Sequence, residues 1–446
     1  MSKIGIWLIN KDLRIENNIL LRALNDCDLV LPVFIWDEKL RRSSSNSRIA
    51  SFYHEALNNL SEELNHFNAE ILIKSGDSEV ILDYLKSKYN VHSIYTQFDV
   101  DPAHREFVKN ITKKFEVKLL NTAYLSDLNK TLKDDGTPYL TFSSFSRAWF
   151  RNEFDIQYEN APTKSNFLVS GEMNDFSPPL NNTPFKANKL FGNKRLSNYI
   201  GNNLLNYNKF RNRMDLDGTS MLSAYFNSGI VDIKGSYILA INLGLDNPGV
   251  KSWINELLWR EFNAYIMFHF PEIIHSSFNN KLSSYPWEEN EDYLNRWKQG
   301  LTGFSCVDAC MRQLLDIGWM HNRGRMIVAS FLTKDLFINW KEGEKWFMEN
   351  LVDAETASNI GGWQWTAGSG VDAAPYFRIF NPITQGEKFD PNGTYIRKWV
   401  PELRDVETKF IHDPSIDNGI YQYPKPIVSH NDSRKKALYI FNSLRN

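Results

Sequence analysis

The feature that most restricts this chain is a change in its hydrophobic period. Through the first third, five short runs rich in β-branched residues alternate with amphipathic stretches such as "SRIASFYHEALNNLSEELNHF". The runs are "IGIWLIN" (4–10), "LVLPVFIW" (29–36), "AEILIKSG" (69–76), "SIYTQF" (93–98) and "VKLLNT" (117–122). Such alternation implies a parallel sheet, because each strand returns by a crossover that lays a helix on one face. Residues 1–128 are therefore expected to form a doubly wound α/β domain. From 129 to 190 the texture is aperiodic and rich in Pro, Asn, Ser and Thr, as in a long connector. Beyond 191 the strand period vanishes, and 191–446 reads as an all-α domain with no repeat of solenoid period. A chain of 446 residues exceeds what one core usually supports, so two domains are expected.

A doubly wound sheet invites a nucleotide, yet no G-x-G-x-x-G follows the first strand and no Walker loop occurs. The formal charge of -2 gives no global attraction to nucleic acid, so any such binding needs a local basic face. With 29 Phe, 19 Tyr and 13 Trp, the aromatic share of 14% asks for a cofactor, a stacking surface or dense ring packing. Three cysteines, Cys27, Cys306 and Cys310, cannot build a disulfide framework, which fits a reducing cytosol. Cys306 and Cys310 share a helix face without a second ligand pair and read as buried thiols, so no metal site is expected. The N-terminus opens as a strand followed by charges, unlike a signal peptide, and no apolar run is long enough to span a membrane. The expectation is a soluble, cytoplasmic protein.

Several stretches concentrate chemically useful residues. In "WINELLWREF" (253–262), helical spacing lets Trp253, Glu256, Trp259 and Arg260 converge, although Glu256–Arg260 is equally an ordinary i, i+4 pair and the indoles equally core. "GWMHNRGRMIVASFL" crowds His321, Asn322, Arg323, Arg325 and Met326 at one helix start. "VDAETASNIGGWQW" places Asp353, Ala354, Glu355 and Asn359 ahead of Trp363. "DGTSMLSAYF" offers Thr219, Ser220 and Ser223 at a helix start, which is either an anion site or a plain N-cap. No Ser-His-Asp triad, Cys-His pair or metal cluster assembles, so the chemistry is expected to come from a cofactor.

Taken together, "WINELLWREF", "TGFSCVDACMRQLLDIGWMHNRGRM", "GGWQW" and "DAAPYFRIFNPITQGEKFD", in this order, resemble the photolyase/cryptochrome family. The similarity is strongest to the bacterial class I photolyases that split cyclobutane pyrimidine dimers, and it runs from "DLRIENN" to "YPKPIVSHNDSRKKAL". It implies an antenna-type α/β domain, a helical domain holding FAD, and repair of UV-damaged DNA by electron transfer from the light-excited reduced flavin. Carried over position by position, Tyr207, Thr219, Ser220, Met221, Leu222 and Ser223 would hold the phosphates and ribityl chain. Trp253 and Arg260 would line the flavin pocket, with Ala354 and Glu355 along its polar edge. Asp353 would pair with Arg325, and Asn359 would face flavin N5. Glu256 would hydrogen-bond the flipped dimer, Trp259 would stack on it, and Asn322 and Met326 would complete the wall. Arg211, Arg323 and Arg378 would grip phosphates, and Trp363, Trp340 and Trp287 would pass electrons to the flavin. Extrusion of the target base is an established property of photolyases, and stacking on an indole is worth roughly 1–3 kcal/mol per base.

Two positions depart from the family pattern. Glu355 stands where an aspartate is usual, and Gln97 and Asp101 stand nearest the Asn and Glu of folate-binding members, leaving open whether a folate or deazaflavin antenna is held. Other readings are a cryptochrome sensor, a (6–4) photolyase, a DASH-type protein and a flavin-binding scaffold. Against the sensor stand Asn359, where plant cryptochromes carry aspartate, and a chain that stops soon after "PIVSH". Against (6–4) repair stands the pair His321-Asn322, which lacks the second histidine. The expected state is a monomer acting on DNA.

Overall fold

The computed structural model describes residues 2–152, 166–181, 183–279, 285–373, 378–417 and 423–444. Ala374 to Phe377, inside the "DAAPYFRIFNP" motif, lie outside the described residues. The chain forms two compact bodies: Met1–Leu205 with Ser220–Pro271 and Val352–Ala357, and Asn206–Thr219 with Glu272–Leu351 and Ser358–Asn446.

The first body is built on a parallel sheet of five strands in the order β3-β2-β1-β4-β5. The strands are β1 (Ile4–Ile9), β2 (Leu29–Trp36), β3 (Leu72–Ser75), β4 (Val91–Gln97) and β5 (Glu116–Leu120). All five expected runs form strands, and every pairing is parallel. β1 and β2 are buried almost throughout, which is why they read as continuous apolar runs. The third strand is shorter than its run because only Leu72–Ser75 finds a partner, in Val33 to Trp36.

Its other edge is covered from within the stretch read as a connector. Ile73 N–H donates to Asn174 Oδ1 at 2.8 Å, Asp175 N–H donates to Ile73 O at 3.1 Å, and Ser75 N–H donates to Asp175 Oδ1 at 2.6 Å. Two polar side chains thus satisfy an edge that would otherwise invite pairing with another chain. The same stretch also contains the helix Phe142–Arg151, whose Phe145, Ala148 and Trp149 are buried. Its turn-rich surroundings mask that pattern in the sequence.

At the carboxyl ends of β1 and β4, where the strand order reverses, Lys11 Nζ meets Asp99 Oδ2 at 2.7 Å. Asp101, one turn on, accepts from Thr356 Oγ1 at 2.8 Å and caps the helix Pro102–Ile111 through Ala103 N–H. Segment Val352–Ala357 is thereby tied to the crevice in which doubly wound sheets usually bind ligands.

In the second body the elements are helical, among them Ser305–Ile317, Asn322–Ser330, Trp340–Asn350, Pro382–Phe389 and His430–Ser443. Among the described residues no strand follows Leu120. One apolar stretch, "RMIVASFLTKDLFINW", is interrupted where a helix would be expected to continue. After Ser330 it becomes a π turn, Phe331–Asp335, and Phe337 then takes a left-handed conformation with φ 58. The long helix Pro248–His269 of the first body is punctuated as its sequence suggests, by an Asn247 cap and Pro248 in its first turn.

Burial alone would push the Asp99 carboxyl up, but the Lys11 ammonium outweighs it and holds Asp99 well below the usual carboxylate range. Lys11 is likewise held above its usual value: burial lowers it, and the Asp99 and Glu355 charges overcome that effect. Lys11→Met is expected to lower stability by about 3–5 kcal/mol at pH 7, because a buried charge loses its partner. Asp99 contributes stability above its unfolded value of about 4 and loses it below, so acidification should narrow the gap between wild type and variant. Urea unfolding at pH 7 and pH 3.5 measures both.

Candidate active site

The first body carries one set of the expected residues. At the start of the short helix Ser223–Ser228, Leu222 offers no side-chain cap, and Met221 just before it lies in the left-handed region with φ 47. For a non-glycine residue this conformation is uncommon and costs on the order of 1–3 kcal/mol, a strain that recurs at ligand clamps. Arg195 Nε holds the turn by donating to Ser220 O at 2.6 Å, and Ser223 Oγ donates to Asp353 Oδ2 at 2.5 Å. Asn227 Nδ2 donates to Ala354 O at 2.9 Å, leaving its own buried Oδ1 without a protein partner. Ser223, Asp353 and Ala354, distant in sequence, are therefore neighbours.

On the helix Pro248–His269, Trp253 is buried with its ring 6.1 Å from Tyr199, and Trp259 and Glu256 are half-buried. Trp259 stacks on Phe142 at 3.9 Å with the rings 7° from parallel, and its edge meets Phe262. Stacking of this kind adds about 0.5–1.5 kcal/mol beyond area burial and fixes the indole plane. Sequence reading missed Phe142, since nothing in a turn-rich stretch marks an aromatic as the support for a residue more than a hundred positions away. Arg260 Nη1 donates to Ala123 O at 2.6 Å and its guanidinium lies over Tyr124, so it also clamps the 123–126 loop.

Gln97 and Asp101 are both engaged in the fold. Gln97 Oε1 accepts Lys11 N–H at 3.1 Å, while its Nε2 is buried without a protein partner. Farther along the same sheet end, Arg41 sits over Phe34, Trp36 and Tyr53 at 5.0 to 5.2 Å, and Phe176 stacks on Trp36 at 4.8 Å. Arg41 and Phe176 fill this aromatic cage from within the chain.

The second body carries the other set. Asn359 is buried, and its Nδ2 donates both to Glu344 O and to Glu344 Oε1, each at 2.9 Å. Both amide hydrogens are thereby committed, and the acceptor Oδ1 is the end of the side chain left to meet a ligand. Trp363 is buried against Phe347 at 5.0 Å and Trp297 at 6.1 Å. A Cβ at Gly343 would lie 2.1 Å from its indole, so only glycine permits this approach of the helix Trp340–Asn350. Trp340 Nε1 donates to Ser277 Oγ at 3.2 Å, and Trp287 is half-buried beside Tyr285 at 4.3 Å.

The helix Asn322–Ser330 gathers the remaining residues. Asn322 Nδ2 and Met326 Sδ stand 4.0 Å apart on one face, and Arg325 Nε donates to Met320 O at 2.9 Å. Arg323 Nη2 donates to Asn212 Oδ1 at 2.7 Å, and its guanidinium lies 4.4 Å from the Phe389 ring centre. Burial, then the charges of Arg211 and Arg378, push Arg323 below its usual value. His321 begins this helix, and its Nδ1 accepts Arg323 N–H at 3.0 Å.

The chain matches the FAD binding domain of DNA photolyase over residues 253–443 and DNA photolyase over residues 5–164. It is 33% identical to a deoxyribodipyrimidine photo-lyase of Agrobacterium fabrum, over 99% of this chain and 98% of that protein. The chain belongs to the photolyase/cryptochrome family. Two solved photolyases share its fold. A bacterial class III photolyase from Agrobacterium tumefaciens superposes with a TM-score of 0.90 at 31% identity, over 100% of this chain and 98% of the other. An archaeal photolyase from Sulfolobus tokodaii, solved with two FAD molecules, gives 0.84 at 29% identity, over 99% and 100%. No helix among the described residues is long and apolar enough to cross a membrane.

His321 tests the electrostatics of this photolyase-type helix. Burial first, then the charges of Arg323, Arg325 and Arg211, bring its pKa down from 6.5 to about 4. The native state thus excludes a proton that the unfolded chain accepts, and stability falls as pH drops from 6.5 towards 4, by on the order of 3 kcal/mol. His321→Asn caps the helix without titrating. The variant should match wild type near pH 7 and lose less stability by pH 4.5, as read from urea midpoints.

Proposed function

We propose that this photolyase-family chain is a light-driven DNA repair enzyme, a deoxyribodipyrimidine photo-lyase that uses FAD to split cyclobutane pyrimidine dimers in UV-damaged DNA. The observation that carries the reading is Asn359, a buried amide whose hydrogens are held by Glu344 and whose oxygen is left to accept. Such an acceptor suits a flavin carrying a hydrogen on N5.

The donor set fits the cofactor. The uncapped start of the helix Ser223–Ser228, with the strained Met221, presents main-chain N–H groups of the kind that bind a diphosphate, and Tyr207, Thr219, Ser220, Leu222 and Ser223 would accompany them. Trp253, Arg260, Arg325, Asp353, Ala354 and Glu355 would contact the rest of the molecule. When bound and reduced, FAD supplies the electron donor that light excites, which is why the chain needs no nucleophile or metal of its own.

The remaining roles fall to the chain. Glu256 would hydrogen-bond the carbonyls of the extruded dimer, sharing a proton with them as the dimer takes up negative charge. Trp259, its plane set by Phe142, would stack on the lesion, and Asn322 and Met326 would flank it. Arg211, Arg323 and Arg378 would hold phosphates around the gap. Trp363, Trp340 and Trp287 would carry electrons inward to restore the reduced cofactor. In this reading 1–128 is the antenna-type domain, 129–190 the connector and 191–446 the flavin- and DNA-binding part. Gln97 and Asp101 are already used by the fold, so neither a folate nor a deazaflavin antenna is assigned to them. The protein is proposed to act as a cytoplasmic monomer.

Two variants separate the pathways by which electrons reach the flavin and the lesion. Trp363→Phe should abolish photoreduction of the oxidised flavin, while dimer repair persists after chemical reduction. Gly343→Ala, whose methyl group would collide with the same indole, should slow photoreduction in the same assay. Equal photoreduction in wild type and Trp363→Phe would remove these residues from the path.

The lesion contacts are tested by Glu256→Ala, which should lower both affinity for a thymine dimer and the quantum yield of splitting, with FAD content unchanged. Glu256→Gln keeps a donor and should recover part of both. Trp259→Ala should instead cost about 1–3 kcal/mol of lesion affinity and spare the yield at saturation. Repair of only the (6–4) photoproduct by wild type would overturn the assignment.

A further inference from the structure

We infer that Lys334 is a positioning residue for DNA binding: the π turn directs it inward to hold the main chain of Arg378, so that one helix references both Arg323 and Arg378. The inference rests on reading those two arginines as phosphate contacts.

The helix Asn322–Ser330 carries Arg323 in its first turn and passes directly into the π turn Phe331–Asp335. There, Leu336 N–H donates to Phe331 O at 3.0 Å, five residues back. Thr333 Oγ1 donates to Ala329 O at 2.7 Å, giving that carbonyl a partner within the altered ladder. The residue inserted by a π turn rotates the side chains that follow it, and such turns are frequent at functional sites. Beyond it Phe337, at φ 58, is fixed in a conformation that an aromatic residue rarely adopts, its ring buried against Tyr285 and Phe441.

As a consequence Lys334 is 1% exposed, where a lysine would ordinarily extend its ammonium to water. An apolar side chain would fill the space without the cost of burying a cation. The ammonium instead donates to Arg378 O at 2.9 Å, with the Phe441 ring 5.9 Å away. Four residues earlier, Ser330 Oγ accepts Phe380 N–H at 3.3 Å, and Ile379 between them packs on the cluster of Tyr285, Phe337 and Phe441. Three consecutive residues, Arg378, Ile379 and Phe380, are thus fixed from beneath, while the Arg378 side chain is exposed. Asp335 is tied separately, to His430 Nδ1 at 2.6 Å. The spacing between Arg323 and Arg378 is therefore set by one continuous helical element and two anchors on it.

A double-mutant cycle on the flavin-loaded full-length protein tests this. Affinity for a duplex carrying one thymine dimer, and for the undamaged duplex, is measured as a function of salt for wild type, Lys334→Met, Arg378→Ala and the pair. Arg378→Ala should weaken binding to both duplexes and reduce the salt slope by about one. Lys334→Met should reproduce that change with FAD content retained, and the double variant should lose no more than either single one. If Arg378→Ala leaves affinity and slope unchanged, the phosphate-contact reading fails. If Arg378→Ala weakens binding while Lys334→Met does not, or if the two losses add in full, the anchoring role of Lys334 is overturned. Should Lys334→Met not fold, Lys334→Gln and Ser330→Ala complete the same cycle with Arg378→Ala, with the same non-additive loss expected and full additivity overturning the inference.

Discussion

Much of this architecture depends on buried carboxylates whose oxygens are taken up by main-chain N–H groups. Glu261 accepts from Leu125 N–H at 2.9 Å, Ser126 N–H at 2.8 Å and Ser126 Oγ at 2.7 Å. Asp308 accepts from Thr302 N–H and Gly303 N–H, and Asp390 from Tyr395 N–H and Ile396 N–H. In each case burial raises the pKa, for Asp390 to about 6, and the hydrogen bonds pull it only part of the way back. A carboxylate satisfied in this way fastens a loop to a helix at fixed geometry, its hydrogen bonds coming from main-chain N–H groups and hydroxyls. Trp259 and Arg260, immediately before Glu261, are thereby set on a helix whose contact with the 123–126 loop is fixed at several points.

The candidate site works against that stability. Arg323 is partly buried, and burial, then the charges of Arg211 and Arg378, hold it below its usual value. Burial and the charges of three arginines hold the His321 pKa down to about 4, and it can cap the helix only while neutral. Met221 and Phe337 hold backbone conformations that cost free energy. Each such feature costs folding free energy that the rest of its body offsets.

The α/β body was largely legible because its signal is local: five apolar runs of the right length, separated by helical periods, specify a parallel sheet and its crossovers. The connector was not, since its edge-capping Asn174 and Asp175 resemble any turn residues until β3 is beside them. In the second body, helix existence was legible, but the π turn was not, because "RMIVASFLTKDLFINW" is apolar enough to continue as one helix. Among site residues, Asn322, Arg323, Arg325 and Met326 were visible as a cluster, since one helix start presents them together. Glu344, Gly343, Phe142 and Lys334 were invisible for a common reason. Each acts on a partner between 15 and 117 positions away, and periodicity reports which face a residue occupies but never which atom it meets there.

The three tryptophans proposed to carry electrons illustrate what packing adds to residue type. Trp363 and Trp340 are equally buried, yet the Trp363 Nε1 proton meets no acceptor among the described residues, whereas Trp340 Nε1 donates to a hydroxyl. An indole that has lost an electron is a strong acid, and deprotonation would trap the vacancy on that ring. A site that offers no base keeps the proton in place, so the vacancy remains free to move. It is better tolerated where an oxygen faces the N–H group, and better still at half-buried Trp287, where water can solvate charge. On the proposed path, this gradient in solvation would favour outward movement of the vacancy, which is inward movement of the electron, without any gradient in residue chemistry.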